Sequence, residues 1–141
     1  MPTRTAKAIW EGTIKAGKGS FETATGSLRG PYSFASRFES GQGSNPEELL
    51  AAAEAACFSM ALSLELEKAG KAPKRIETEA ACSIEKGNGG FVIKTMKLST
   101  RAEVPNIDRD EFVKIAEATK KACPVSRALA GLEIELVASL V

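Results

Sequence analysis

The 141-residue chain contains no histidine. That absence excludes a Ser-His-Asp triad, a Cys-His pair and any metal site with a histidine ligand. Cysteine is scarce as well, with only Cys57, Cys82 and Cys123, and no Cys-x-x-Cys among them. Zinc ribbons, iron–sulfur clusters and thioredoxin-type motifs are therefore not expected, and no metal or cofactor is read from the sequence. Net charge is nearly absent, since 19 Lys and Arg face 18 Asp and Glu for a formal +1. That balance gives no electrostatic case for nucleic acid or an anionic membrane as a partner. The first residues, Met1-Pro-Thr-Arg-Thr-Ala-Lys7, lack the apolar run of a signal peptide, so a cytoplasmic location is expected. An odd cysteine count in such a setting argues against a structural disulfide framework. A bridge that does form there is more often catalytic or redox-sensing.

Hydrophobic residues make up 43% and charged residues 26%, a balance that fits a folded globular chain and not a disordered one. The length suits a single domain over residues 1–141. Its most prominent stretch runs from Asn45 to Ala69. Asn45 suits an N-cap, Pro46 the first helical position, Glu48 a capping box and Gly70 the stop. Between Ala51 and Leu64 only Glu54 and two serines interrupt the apolar residues. The expectation is a long helix buried on nearly all sides, too short and too interrupted to span a bilayer.

Around it the chain reads as strands over 5–11, 20–25 and 32–38, then over 75–86, 91–103 and 132–140. A second helix starts at the Asp108 cap and carries Phe112, Ile115, Ala116 and Thr119 as its apolar stripe. Pro124 breaks it and opens a short helical turn over 125–130. The order β-β-β-α-β-β-α-(α)-β means α+β with a largely antiparallel sheet packed on the central helix. One sheet covers one side of a helix that is apolar all round, so a homodimer with paired central helices is expected.

Cys57 lies in the middle of that helix. Without histidine, only Arg, Lys or backbone dipoles are left to stabilise a thiolate there. Arg37 is the best-placed cation, on the strand read over 32–38, just before the glycine-containing loop that feeds the helix. Glu48 is taken by the cap, which leaves Glu47 to orient the guanidinium. Glu47 and Cys57 are ten positions apart, about 15 Å of helical rise. They share a site only if two helices pack antiparallel in a dimer. Cys123 precedes a proline at a helix break, a place for a mobile, partly activated thiol. Cys82 alternates with Ile76 and Ile84 on an apolar strand face and reads as packing. The bland readings are small apolar fillers for the thiols, a solvated strand charge for Arg37 and a first-turn acid for Glu47. Against them stands a peroxidatic and resolving cysteine pair, which needs no metal, flavin or histidine.

The run Asn45-Pro-Glu-Glu-Leu-Leu-Ala-Ala-Ala-Glu-Ala-Ala-Cys57-Phe-Ser-Met-Ala-Leu, with Cys123-Pro-Val-Ser downstream, resembles the OsmC/Ohr family of osmotically inducible and organic-hydroperoxide-resistance proteins. Ala8-x-Trp-Glu-Gly12, Lys18-Gly19, Ser36-Arg37-Phe38-Glu39 and Pro105-Asn-Ile-Asp108 extend the resemblance and place it nearer the OsmC branch. The resemblance implies an intertwined α+β homodimer and a cysteine-based peroxidase that favours organic hydroperoxides over hydrogen peroxide. It implies Cys57 as the peroxidatic and Cys123 as the resolving residue, with Arg37 and Glu47 as the activating pair. It also implies a dithiol reductant, a lipoylated protein or a small dithiol. An apolar pocket including Phe34, Phe38, Phe58 and Met60 would suit alkyl peroxides. The alternative is a redox sensor or small-ligand binder that uses the same cysteines without turnover. One departure is Glu54, which stands one turn before Cys57 where close OsmC relatives are expected to have histidine. An anion there raises the thiol pKa unless it is paired or turned away.

Overall fold

The structure is a computed structural model that describes residues 1–141. It divides into two compact units, Met1–Leu49 and Leu50–Val141.

In the first unit, β1 (Ala6–Glu11), β2 (Lys18–Thr23) and β3 (Arg29–Tyr32) form an antiparallel sheet in that order. Trp10 faces Gly19 in one register and Tyr32 faces Gly19 in the next. The Trp10 and Tyr32 rings meet over this glycine with centroids 5.5 Å apart. A Cβ on residue 19 would lie 2.5 Å from the Tyr32 ring and 2.7 Å from the indole, so only glycine lets the rings close over β2.

The strand expected over 32–38 ends at Tyr32, and Phe34–Phe38 is a short helix, α1. A capping box explains the switch. Ser33 Oγ accepts from the Ser36 N–H at 3.1 Å, and Ser36 Oγ accepts from the Ser33 N–H at 2.8 Å. Ser36 also donates to the Ser44 carbonyl, which fixes the returning loop. Asn45 caps α2 (Pro46–Lys68) as expected, its Oδ1 accepting from the Glu48 N–H at 2.8 Å. The Glu48 carboxylate does not complete the box, because it accepts from the Ser44 hydroxyl instead.

The second unit holds most of α2 and a second sheet of β4 (Arg75–Gly87), β5 (Gly90–Glu103) and β6 (Glu133–Leu140). The β4–β5 hairpin is antiparallel, whereas β6 runs parallel to β5. The sheet is therefore mixed, not antiparallel throughout. A parallel neighbour needs a long crossover, and α3 (Arg109–Ala122) with α4 (Pro124–Ala128) supplies it. Met96, Leu98 and Ala102 of β5 are buried with Phe58, Leu62 and Leu66 of α2 and Phe112 and Ala116 of α3. From α2 to the sheet runs a hydroxyl chain. Ser59 donates to Thr78 at 2.8 Å, and Thr78 meets the fully buried Thr100 at 2.9 Å.

Burial on α2 is one-sided. Glu54, Phe58, Leu62 and Leu66, spaced by four, are fully buried, while Ala53, Ala56, Met60 and Leu64 are exposed. Met60 is 77% exposed and Leu64 50%, so one apolar face has no partner within its own unit. With 23 residues, α2 is long and apolar enough to cross a membrane by length and composition, contrary to the sequence expectation. Its residues Phe58, Leu62 and Leu66 belong to the hydrophobic core of the second unit.

Candidate active site

The four residues singled out from sequence fall into two pairs, each inside one unit. In the first, Arg37 donates from Nε at 3.1 Å and from Nη2 at 2.8 Å, both to Glu47 Oε1. Glu47 is buried and the Arg37 side chain about one-third exposed. The guanidinium also lies over the Phe38 ring, 5.4 Å from its centroid. On a strand over 32–38 Arg37 and Phe38 would project to opposite faces, but α1 brings the guanidinium over the ring. Phe34 and Phe38, four apart on α1, stack at 4.9 Å. With Trp10, Tyr32 and Arg37 they line a cleft of about 200 Å³. Phe58 cannot line a pocket as expected, because it is fully buried in the core, and Met60 lies on the exposed face of α2.

In the second pair, Cys123 Sγ donates to Cys57 Sγ at 3.1 Å. Two features bring the sulfurs together. Cys57 is carried by the middle of α2. Pro124 excludes the helical conformation for the residue before it, so Cys123 (φ −54°, ψ 126°) both ends α3 and begins α4. Its N–H still donates to Thr119 and its carbonyl accepts from Arg127. The thiol at this break was expected to be mobile and partly activated; the structure holds Cys123 fully buried. Cys82 is half-buried on the face of β4 that packs on the core, together with Ile76 and Ala80.

Burial pushes the Cys57 thiol above its ordinary pKa, and the adjacent Cys123 and the Glu54 carboxylate push it further. The backbone N–H of Val125, in the first turn of α4, acts against them by hydrogen bonding to the sulfur. Within its own unit Cys57 therefore has a nearby thiol to bond with, and a net environment that disfavours the thiolate.

Three comparisons bear on this arrangement. Residues 39–137 match the model of the OsmC-like protein family. The chain is 49% identical to peroxiredoxin OsmC of Escherichia coli K12 over 124 residues, 87% of either chain. The chain belongs to the OsmC-like family. An organic hydroperoxide resistance protein of Xanthomonas axonopodis pv. citri is 33% identical over 64% of this chain and 63% of that one. Among solved structures, the organic hydroperoxide resistance protein OhrB of Bacillus subtilis superposes with a TM-score of 0.72 at 27% identity. That match covers 97% of this chain and 98% of that one.

In this OsmC-like chain, sequence reasoning missed two residues beside the thiols. Val125 supplies the amide just described. Ser126 is buried, and its hydroxyl donates to Oε1 of the fully buried Glu54 in a very short hydrogen bond. The other carboxylate oxygen, Oε2, is buried with no hydrogen-bond partner. Both residues follow Cys123-Pro124 directly, so the proline that starts α4 was the available signal. Glu54, flagged as a departure from the OsmC pattern, is thus paired through one oxygen only.

Proposed function

We propose that this chain is a thiol-dependent peroxidase that reduces organic hydroperoxides through Cys57 and Cys123. The observation that carries it is the 3.1 Å approach of the two sulfurs, about 1 Å from bonding distance. The Cys57 thiolate attacks one oxygen of the peroxide, and the O–O bond breaks. The alkoxide takes up the proton the thiol released, giving alcohol and Cys57 sulfenic acid. Cys123 then attacks that sulfur. Its proton and the sulfenic hydroxyl leave as water, and a Cys57–Cys123 disulfide remains. A dithiol, small or lipoyl-bound, reduces the bridge by exchange through a mixed disulfide.

Within one unit Cys57 is held above its ordinary pKa, so a cation from elsewhere has to favour the thiolate. Arg37, held by Glu47, is the cation this reading assigns, supplied by a second copy of the chain. Glu47 and Cys57 are ten positions apart on α2. The unpartnered Ala53–Ala56–Met60–Leu64 face of α2 supports a homodimer in which two such helices lie against each other. Arg37 also stabilises charge developing on the leaving oxygen. The aromatic cleft beside it, with Trp10, Phe34 and Phe38, favours alkyl or aryl groups on the peroxide.

The test is turnover of an aryl hydroperoxide such as cumene hydroperoxide with dihydrolipoamide as reductant. The wild-type protein consumes many equivalents. Cys57→Ser consumes none, and Cys123→Ser no longer shows the bridged peptide by mass spectrometry. Undiminished consumption by Cys57→Ser overturns the assignment.

A further inference from the structure

Three hydrogen bonds join the Cys123–α4 segment to α2. Two end on the Cys57 sulfur, from Cys123 Sγ and from the Val125 amide. The third runs from Ser126 to Glu54. The two ties between side chains have matching spacing, because Glu54 precedes Cys57 by three positions on α2 and Ser126 follows Cys123 by three. Residues three apart on a helix share a face, so α4 meets α2 at two neighbouring points. α4 is only five residues long, and its N-cap residue makes no side-chain capping bond. A single turn of that kind has little stability of its own. Its position must come from what it is tied to.

The tie is also chemically unusual. Glu54 is fully exluded from water, and only one of its two oxygens is bonded. A buried acceptor with an unmatched oxygen opposes folding. Its charge further disfavours the thiolate next to it. Nothing else in the core requires a carboxylate there, since the neighbouring buried positions of α2 are Phe58, Leu62 and Leu66. What Glu54 does provide is a charged acceptor for Ser126, and such bonds are stronger than neutral ones.

We propose that Glu54 is a positioning residue for the resolving half of the reaction: by accepting the Ser126 hydroxyl it docks α4 on α2 and holds Cys123 against Cys57. This rests on the peroxidase reading above. When the sulfenic acid forms, the ties that end on Cys57 are chemically altered, because its sulfur now carries oxygen. The Glu54–Ser126 bond is untouched by that step. It keeps Cys123 within reach until the disulfide forms and water departs. Without it, the sulfenic acid waits longer and reacts with a second peroxide, giving sulfinic acid and a second alcohol.

The experiment separates the two halves of the reaction in single-turnover mixing with cumene hydroperoxide. Quenched samples are analysed by mass spectrometry for thiol, sulfenic acid, disulfide and sulfinic acid. In Ser126→Ala the first oxidation of Cys57 stays within about twofold of wild type, while disulfide closure slows about tenfold. Sulfinic acid then accumulates under excess peroxide. Ser126→Thr keeps the hydroxyl and restores closure. Glu54→Gln keeps an acceptor oxygen and closes faster than Glu54→Leu, which keeps none. Closure at the wild-type rate in both Ser126→Ala and Glu54→Leu overturns the proposal. So does equal slowing of both steps in Ser126→Ala, which marks general damage to the fold. Failure of the wild-type protein to oxidise at Cys57 at all counts against the peroxidase reading instead.

Discussion

Cys57 sits where every neighbour in its own unit but one works against ionisation. Burial, Cys123 and Glu54 raise its pKa, and only the Val125 amide lowers it. The Glu54 contribution is a like-charge effect, so its sign can be tested. Removing that charge in Glu54→Gln makes the thiolate easier to form. The pH midpoint for alkylation of Cys57 by iodoacetamide moves down relative to wild type. A midpoint that stays or rises shows that the Glu54 charge does not reach the sulfur. The same shift has a stability consequence. A thiol whose folded pKa exceeds its unfolded value keeps its proton longer in the folded state. Its contribution is fully present below the unfolded value, about 8.5, and is lost as pH rises through the folded one. Under reducing conditions the urea midpoint therefore falls with alkaline pH, and the fall is shallower in Cys57→Ser. At this scale the sequence revealed the thiols, because Cys57 stands inside a capped apolar helix and Cys123 before a proline. It did not reveal Ser126 as the partner of Glu54, because that bond spans 72 positions.

The elements most exposed to error were those whose residues fit two periods. Phe34 and Phe38 are four apart, which places them on one face of a strand and equally on one face of a helix. Their stacking in α1 follows from the Ser33–Ser36 capping box, a local hydrogen-bond choice that the hydrophobic pattern does not record. The direction of β6 was similarly hidden. Its alternation reads the same for parallel and antiparallel pairing, and the crossover through α3 and α4 decides. By contrast α2, α3 and the β4–β5 hairpin were legible, since caps, period and turn agree in each. How α2 grips the sheet is testable at this scale. Thr78 is the middle of the Ser59–Thr78–Thr100 chain. Thr78→Val keeps the shape and takes a partner from both neighbours. The expected loss is about 1–3 kcal/mol of unfolding free energy in urea titration. Ser59→Ala, at the end of the chain, costs less. Equal losses in the two variants mean that the chain does not act through its centre.

For the whole molecule the informative feature is what α2 leaves uncovered. Its sequence is apolar around the full circumference, yet the chain buries only the stripe through Glu54, Phe58, Leu62 and Leu66. Met60 and Leu64 face outward on the same helix that carries Glu47 and Cys57. If a second copy covers that face, a charge placed there must be desolvated in the contact, which opposes association. The double substitution Met60→Glu and Leu64→Glu is therefore expected to shift the mass in sedimentation equilibrium from twice the 14.9 kDa chain to one chain. Function should split along the same line. Cys57 and Cys123 belong to one chain, so the separated variant still forms their disulfide when treated with excess oxidant. Arg37 and Glu47 would come from the other copy, so peroxide turnover at limiting substrate falls by roughly 100-fold, the scale of losing a group that stabilises developing charge. A variant that separates but turns over as fast as wild type removes the second copy from the site. In that case the cation that serves Cys57 must lie in its own chain.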